Sequence, residues 1–243
     1  HVHAWGFPYA ATLLGIKQVY VGRYDPSKLL RLITEEGATF SHCVPTILQM
    51  LLSAPGADDT DLSNLKMLIG GSALPRGLAE AALARGINVY AGYGMSETCP
   101  VLTVSLLDPD DEAAVEPRLK TGNPIPMVDL KTVDKSMTEM PRDGVTTGEV
   151  VVRAPWLNAE YLKRPDDTRV LWEGDYLHTG DVGHIDSAGT LVITDRMKDV
   201  IKSGGEWVSS LELESLSSAV EGVADVAAIG IPDEKWGERP LLL

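Results

Sequence analysis

Short β-prone runs alternate with helical runs over residues 5–110, and this alternation restricts the possible folds more than any other feature of the sequence. Asp25 followed by Pro26 is typical of a helix start, and Gly37 is typical of the residue that ends a helix. The predicted strands are 17–22, 38–44, 65–69 and 87–91, and the predicted helices are 4–14, 26–36, 45–53 and 75–85. Helices between consecutive strands imply right-handed crossovers and a parallel sheet. The sequence therefore predicts an α/β fold, a parallel sheet with flanking helices.

The pattern changes after residue 120. The β-prone runs there are 124–133, 148–153, 181–185 and 190–194, separated by Gly, Pro and Asp turns. They predict a small β-rich, barrel-like subdomain. Ser209 and Glu212 are spaced as a capping box that opens a helix, and a strand is predicted to follow it. We expect the α/β part of a large N-terminal domain at 1–120, the β-rich subdomain at 121–197, and the truncated start of a small α+β C-terminal domain at 198–243.

Charge and cysteine content exclude several classes of function. A net charge of −14 argues against a nucleic-acid partner, which needs a basic surface, whereas ATP needs only a few local donors and a metal ion. Cys43 and Cys99 are too few and too distant for a disulfide framework or a zinc site, so we expect free thiols in a reducing cytoplasm. No apolar stretch reaches the ~18 residues of a transmembrane helix, and the first residues lack the basic region of a signal peptide.

Two glycine-rich loops follow neighbouring predicted strands. The first is Gly70–Ala73 and the second is Gly92–Glu97. Ligands of parallel sheets bind beyond the carboxyl ends of the strands, and glycine lets the backbone approach a flat ring or a phosphate. Both loops could therefore line one crevice. An ordinary strand-to-helix turn is the alternative for the first loop, and a solvated surface turn is the alternative for the second.

The side chains of the second loop suit a nucleotide. Tyr93 offers a ring that can stack on a base, and Ser96 offers a hydroxyl for a phosphate oxygen. Glu97 offers a hard oxygen ligand for Mg²⁺, an ion that proteins usually hold by one or two carboxylates together with substrate phosphates. One glutamate is therefore sufficient for such a site.

Two later segments carry further candidate residues. Asp181 could accept hydrogen bonds from both hydroxyls of a ribose, and Arg196 could return toward the same sugar across a hairpin. The alternative is a surface ion pair, which contributes little to stability. Residues 198–205 form a basic, glycine-rich patch in an acidic chain, which suits a phosphorylated thiol carrier, and the alternative is a solvated linker.

Three segments in this order resemble the adenylate-forming (AMP-binding) superfamily. They are Tyr93-Gly94-Met95-Ser96-Glu97-Thr98, Thr179-Gly180-Asp181 and Asp195-Arg196-Met197-Lys198-Asp199. The segments 198–207 and 236–240 resemble its medium- and long-chain fatty acyl-CoA synthetase branch. This resemblance implies two half-reactions: fatty acid and MgATP give acyl-adenylate and pyrophosphate, and CoA then gives acyl-CoA and AMP. The implied partners are thus fatty acid, ATP and CoA, and a homodimer is one assembly that the sequence allows.

The resemblance also implies roles for individual residues. Tyr93 would stack on the adenine, Ser96 would contact the α-phosphate, and Glu97 would hold Mg²⁺. Asp181 and Arg196 would fix the ribose. The residues implied to contact ATP or AMP are Gly71, Ser72, Gly92, Tyr93, Gly94, Asp181 and Arg196.

Other roles concern the acyl and CoA subsites. His1 would border the acyl and phosphate pocket, and Lys198 would be the pivot about which a small C-terminal domain rotates between the half-reactions. Lys202, Gly204 and Gly205 would face the CoA arm. The residues with an implied catalytic role are Ser96, Glu97 and Lys202.

The sequence departs from the family pattern in three places. Trp207 replaces the Gln of many aryl-CoA ligases, which argues against an aryl substrate. The phosphate loop expected before His1 and the catalytic lysine expected beyond Leu243 are missing, so we expect an internal fragment that does not form acyl-adenylate by itself. Two alternatives to an acyl-CoA synthetase stay open: an adenylation domain that loads a carrier protein, and a non-catalytic nucleotide-binding module.

Overall fold

Local capping interactions determine the limits of the best-defined helix. In the computed structural model, α2 spans Pro26–Glu36, and the Asp25 carboxylate accepts a hydrogen bond of 3.0 Å from the Lys28 amide. The helix ends at Gly37, whose φ of +63° lies in the left-handed region. The helix predicted from Asp25, Pro26 and Gly37 is therefore confirmed. The structure describes residues 6–107, 114–204, 206–218, 220, 222–223 and 226–243.

The chain divides into two units. The first contains residues 1–128 and 154–161, and the second contains residues 129–153 and 162–243. In the first unit the remaining helices are α1 (Phe7–Leu13), α3 (Pro45–Leu52), α4 (Arg76–Ala84) and α5 (Glu116–Leu119). Its strands are β1 (Phe40–Cys43), β2 (Lys66–Ile69), β3 (Asn88–Gly94), β4 (Val101–Val104) and β5 (Asn123–Pro124).

These five strands form one mixed sheet in the order β1-β2-β3-β4-β5. Strands β1, β2 and β3 are parallel, as the α/β pattern predicts. Strand β4 pairs antiparallel with β3, because the connection between these strands is too short to contain a crossover helix. The strand predicted over 17–22 is wrong, since those residues form no strand and Lys17 instead pairs with Glu36 at 2.6 Å.

The core of the first unit lies between the sheet and its helices. Leu48 and Leu51 of α3 are completely buried, as are Ala79 and Ala82 of α4. They pack in one cluster with the buried residues of the central strands, which are Met67, Ile69, Val89 and Ala91. This packing holds the carboxyl ends of β1, β2 and β3 at one edge of the sheet.

The second unit contains two antiparallel sheets. The first has four strands in sequence order: β6 (Asp129–Val133), β7 (Gly148–Arg153), β8 (Leu177–Ile185) and β9 (Leu191–Arg196). The other has the order β11-β10-β13-β12, from β10 (Ile201–Ser203), β11 (Glu206–Val208), β12 (Ala228–Asp233) and β13 (Gly237–Leu242). Two helices, α6 (Pro165–Leu171) and α7 (Ser210–Ser218), complete the unit.

The expected β-rich segment and the following α+β segment are thus both present. The described strands of the β-rich segment form an open sheet rather than a closed barrel, because β6 and β9 pair only with β7 and β8 respectively. Within the described residues, the helices are all too short or too polar to cross a bilayer.

Candidate active-site elements

The first predicted glycine-rich loop, Gly70–Ala73, follows β2, whereas the second begins later than predicted. Gly92, Tyr93 and Gly94 lie within β3, which continues beyond Ala91 because β4 pairs with it there. Ile69 at the end of β2 pairs with Ala91 of β3, so Gly70 and Gly92 follow side by side. A methyl group added to Gly70 would lie 3.1 Å from the Gly92 carbonyl oxygen, which shows how closely the two backbones approach. Gly71 has a φ of +85° and, like Ser72, is exposed. The two backbones therefore lie side by side beyond the paired ends of β2 and Ala91, at the edge where the sequence predicts a ligand crevice.

Gly94 has a packing role in addition to its predicted contact with a nucleotide. A Cβ atom at this position would lie 1.7 Å from the Pro100 carbonyl oxygen. The close approach occurs at a register shift between β3 and β4. Only glycine fits here without displacing the backbone, whatever ligand binds at this edge.

A single 3₁₀ turn, Ser96–Thr98, presents the hydroxyl and carboxylate that the sequence identifies. Thr98 is completely buried, and its hydroxyl donates to the Pro100 carbonyl at 2.7 Å and accepts from the Met95 amide at 3.0 Å. The turn is therefore fixed from its buried side. Ser96 is exposed and Glu97 is half-buried, so both side chains reach the surface of the first unit.

A segment that sequence reasoning missed holds this turn from the other side. We call residues 154–161 the strap, since they belong to the first unit although the segments on both sides of them belong to the second. The Trp156 indole N–H donates to the Thr98 carbonyl at 3.1 Å, and the Asn158 amide donates to the Glu97 carbonyl at 2.8 Å. The Tyr161 hydroxyl donates to Glu97 Oε1 at 2.8 Å.

The second unit brings together the predicted ribose pair. Asp181 on β8 and Arg196 on β9 are directly paired across the two strands, and Arg196 Nε lies 3.6 Å from Asp181 Oδ1. The Asp181 side chain is only 16% exposed, whereas that of Arg196 is 60% exposed. An ion pair this exposed on one side contributes little to folding.

Polar contacts that the sequence does not reveal fix the residues of β8 that precede Asp181. Gly180 has a φ of +71°, and its amide donates to Glu149 Oε1 at 3.3 Å. The other carboxylate oxygen of Glu149 lies 3.0 Å from His178 Nδ1. The Thr179 hydroxyl donates to the Val150 carbonyl at 2.7 Å and accepts from the Asp181 amide at 3.1 Å. Neighbouring β7 therefore orients the part of β8 that carries Asp181.

The remaining predicted residues lie in the basic, glycine-rich patch or outside the described residues. Lys198 and Lys202 are both exposed, and the Lys202 amide donates to Glu238 Oε2 at 2.7 Å. Gly204 has a φ of +62°, and a Cβ there would lie 2.9 Å from Cε3 of the Trp236 ring. The positions of two predicted site residues, His1 and Gly205, lie outside the described residues.

The chemistry of the available ligands limits the kind of metal site. Within the described ranges, no group of three His, Cys, Asp or Glu side chains converges as an all-protein metal cage. Mg²⁺ does not need such a cage, because it keeps several waters and binds through one or two carboxylates plus substrate phosphates. The half-buried Glu97 carboxylate, with one oxygen held by Tyr161, fits that requirement.

The two thiols have different environments. Cys43 is buried in the core of the first unit, and this burial raises the pKa of its thiol to about 12. Cys99 is exposed at the end of the turn that carries Glu97. Both are free cysteines, as the sequence predicts.

Comparison with known proteins gives a consistent result. The family described as AMP-binding enzyme matches residues 1–162. The chain is similar to a long-chain-fatty-acid–CoA ligase of Thermus thermophilus, with 41% identity over 99% of this chain and 46% of that protein. It is also similar to a medium-chain-fatty-acid–CoA ligase of Ectopseudomonas oleovorans, with 38% identity over 100% of this chain and 46% of that protein. The chain thus spans about half the length of these curated relatives.

A solved structure supports the same relationship. The chain superposes on o-succinylbenzoate coenzyme A synthetase from Bacillus subtilis, in complex with ATP and magnesium ion, with a TM-score of 0.81 and 27% identity. The match covers 96% of this chain and 47% of that chain.

Proposed function

The chain belongs to the family of AMP-binding enzymes, and from that premise we propose that the protein that carries it is a fatty acyl-CoA ligase. One observation carries the proposal: Ser96 and Glu97 are presented together on a turn fixed from both sides, at the sheet edge where parallel α/β sheets bind ligands. Similarity to long- and medium-chain fatty-acid ligases supports a fatty acid as the substrate.

In this proposal the reaction has two group transfers. A carboxylate oxygen of the fatty acid attacks the α-phosphorus of ATP, the bond to the β-phosphate oxygen breaks, and pyrophosphate leaves with that electron pair. The sulfur of CoA then attacks the acyl carbonyl carbon, its proton is lost, and AMP leaves. The first step develops negative charge on the phosphates, and the second develops negative charge on the acyl oxygen.

The residues of the first unit would bind the base and the phosphates. Tyr93 would stack on adenine beside the exposed Gly71 and Ser72, and the Ser96 hydroxyl would donate to an α-phosphate oxygen. Glu97 would hold Mg²⁺, which when bound neutralises charge on the phosphates. The proposal for Glu97 rests on its half-buried carboxylate, one oxygen of which is held by the Tyr161 hydroxyl.

The residues of the second unit would bind the ribose and CoA. Asp181 is mostly buried and lies in the part of β8 that β7 fixes, so its carboxylate is held in place before a sugar binds. Arg196 would contact the same sugar from β9. Lys198 would act as the pivot of domain rotation, and Lys202 and Gly204 would face the CoA arm. A cytoplasmic location and a homodimer stay predictions.

A calorimetric titration tests the nucleotide subsites. The titrant is a non-hydrolysable acyl-adenylate analogue, and the sample is the intact protein that carries this sequence. Asp181→Ala should weaken binding by about 10–100-fold, since it removes the charged group that would accept hydrogen bonds from the ribose hydroxyls. Asp199→Ala removes the same charge from an exposed site in the same unit and is the matched control, which should change binding less than twofold. Equal affinity of both variants would contradict the ribose assignment.

The thiol acceptor is tested separately. With ATP, Mg²⁺ and a fatty acid, the intact protein should convert free CoA to acyl-CoA, detected by mass spectrometry. Acyl transfer only to a carrier protein would favour the adenylation-domain alternative, which similarity to CoA ligases does not favour. Nucleotide binding without release of pyrophosphate would favour the non-catalytic alternative.

A further inference from the structure

Tyr161 lies at the end of the strap, 64 positions from Glu97 in sequence, and donates a hydrogen bond to its carboxylate. We propose that Tyr161 is a positioning residue for Glu97, which orients this carboxylate for the metal ion of the nucleotide. This inference rests on the proposed function, because it needs Glu97 to be the metal ligand. It assigns to the strap a role that neither the sequence motifs nor the family match contain.

The two carboxylate oxygens of Glu97 have different hydrogen-bonding environments. Oε1 accepts the Tyr161 hydroxyl hydrogen at 2.8 Å, and within the described part of the chain Oε2 accepts no hydrogen bond. A glutamate side chain on a surface turn otherwise samples many rotamers. A single neutral donor on one oxygen restricts those rotamers and leaves the other oxygen for a cation. A lysine or arginine in the same place would instead neutralise the charge that the cation needs.

The position of Tyr161 does not depend on its own hydroxyl. Trp156 and Asn158 anchor the strap to the same turn through the Thr98 and Glu97 carbonyls, at 3.1 and 2.8 Å. The strap therefore stays in place when the hydroxyl is removed. Tyr161→Phe therefore removes the hydrogen bond to the carboxylate while the strap keeps its two other anchors to the turn.

The expected magnitude follows from comparable groups around bound metals. Carboxylates that bind metals are themselves hydrogen-bonded, and loss of such a partner typically lowers metal affinity by about 10–100-fold. Tyr161 is half-buried and supplies one neutral donor, so we expect the lower end of this range. The concentration of Mg²⁺ needed for half-maximal nucleotide binding should therefore rise about tenfold in Tyr161→Phe.

The experiment measures binding, not turnover. A non-hydrolysable ATP analogue is titrated calorimetrically into the intact protein over a series of Mg²⁺ concentrations that includes zero. Affinity at zero Mg²⁺ should be equal within about twofold in wild type and Tyr161→Phe, while the Mg²⁺ requirement should differ. Tyr24→Phe, which loses a 3.2 Å hydrogen bond to the Ile47 carbonyl in the same unit, is the matched control and should keep the wild-type requirement.

A second substitution separates the hydroxyl from the ring. Tyr161→Gln keeps a neutral N–H donor but removes the ring, so it should need less Mg²⁺ than Tyr161→Phe. A wild-type requirement in Tyr161→Phe would overturn the inference. So would a lower requirement, which would mean that the hydroxyl competes with the metal ion.

The outcome of Glu97→Gln distinguishes this inference from the proposed function. Glu97→Gln should abolish the effect of Mg²⁺ on nucleotide binding. If Mg²⁺ still strengthens binding in Glu97→Gln, the assignment of the metal ligand is wrong. If that variant behaves as expected and Tyr161→Phe resembles wild type, only the role of Tyr161 is wrong.

Discussion

Replacing Asp195 by Asn should destabilise the second unit far more than an ordinary loss of one charge. Asp195 lies at the carboxyl end of β9 and is only 1% exposed. Its Oδ2 accepts from the Ser210 amide at 2.6 Å, at the start of α7, and its Oδ1 accepts from the Arg196 amide at 2.7 Å and from the Ser210 hydroxyl at 3.2 Å. The carboxylate therefore joins a strand to the N-terminus of a helix.

The magnitude follows from these contacts. Asn has one oxygen, so one of the two carboxylate positions becomes an NH₂ group that points at a donor. Loss of a hydrogen bond to a charged group costs about 1.5–3 kcal/mol, and loss of negative charge at a helix N-terminus costs about 0.3–1 kcal/mol more. Because the site is buried, water cannot replace the missing acceptor. We expect a loss of about 2–4 kcal/mol in the free energy of unfolding.

Urea denaturation followed by circular dichroism measures this loss, and hydrogen exchange of the first turn of α7 localises it. Asp199→Asn removes the same charge from an exposed residue four positions away and should cost less than about 0.5 kcal/mol. The first turn of α7 should exchange faster in Asp195→Asn only. Equal stability of the two variants, or unchanged exchange in this turn, would refute the reasoning.

Two further predictions concern the first unit. Gly94→Ala should lower the free energy of unfolding, measured by heat or urea, by about 3 kcal/mol or more, because its Cβ would lie 1.7 Å from the Pro100 carbonyl oxygen. The control Gly77→Ala in α4 meets no atom within 4 Å and should raise the free energy of unfolding by up to about 1 kcal/mol. Equal changes in the two variants would show that the backbone moves to relieve the close approach at Gly94. Cys99 should react with a thiol reagent at pH 8 in the native protein. Cys43, whose pKa is raised to about 12 by burial, should react only after unfolding. If both thiols of the native protein react at the same rate, the predicted burial of Cys43 is wrong.

Several elements could be predicted from sequence because their causes are local. The limits of α2 depend on Asp25, Pro26 and Gly37, which act on backbone groups within one turn. The cap of α7 is equally local, since the Ser209 hydroxyl accepts from the Glu212 amide at 3.0 Å. Such contacts need little loop closure, so a short stretch of sequence specifies them.

Other elements depend on neighbours that the local sequence does not specify. The run 17–22 has the composition of a strand but pairs with no described strand, since β-propensity needs a partner edge. Strand β4 is antiparallel because of a short connection, although the α/β pattern predicts a parallel sheet. The four strands β6 to β9 of the second unit form an open sheet, and whether such strands form a sheet or a barrel depends on pairing of the outer strands.

The sequence by itself determined which side chains we propose for the chemistry: Ser96 and Glu97 close together in one segment, and Asp181 and Arg196 in two later ones. Only the tertiary structure decided which groups hold them, namely Tyr161 for Glu97 and β7 for the part of β8 before Asp181. The physical reason is distance along the chain. Tyr161, which donates the hydrogen bond to Glu97, lies 64 positions away, so its approach depends on packing of the whole unit. A motif of adjacent residues needs no closure of a long loop.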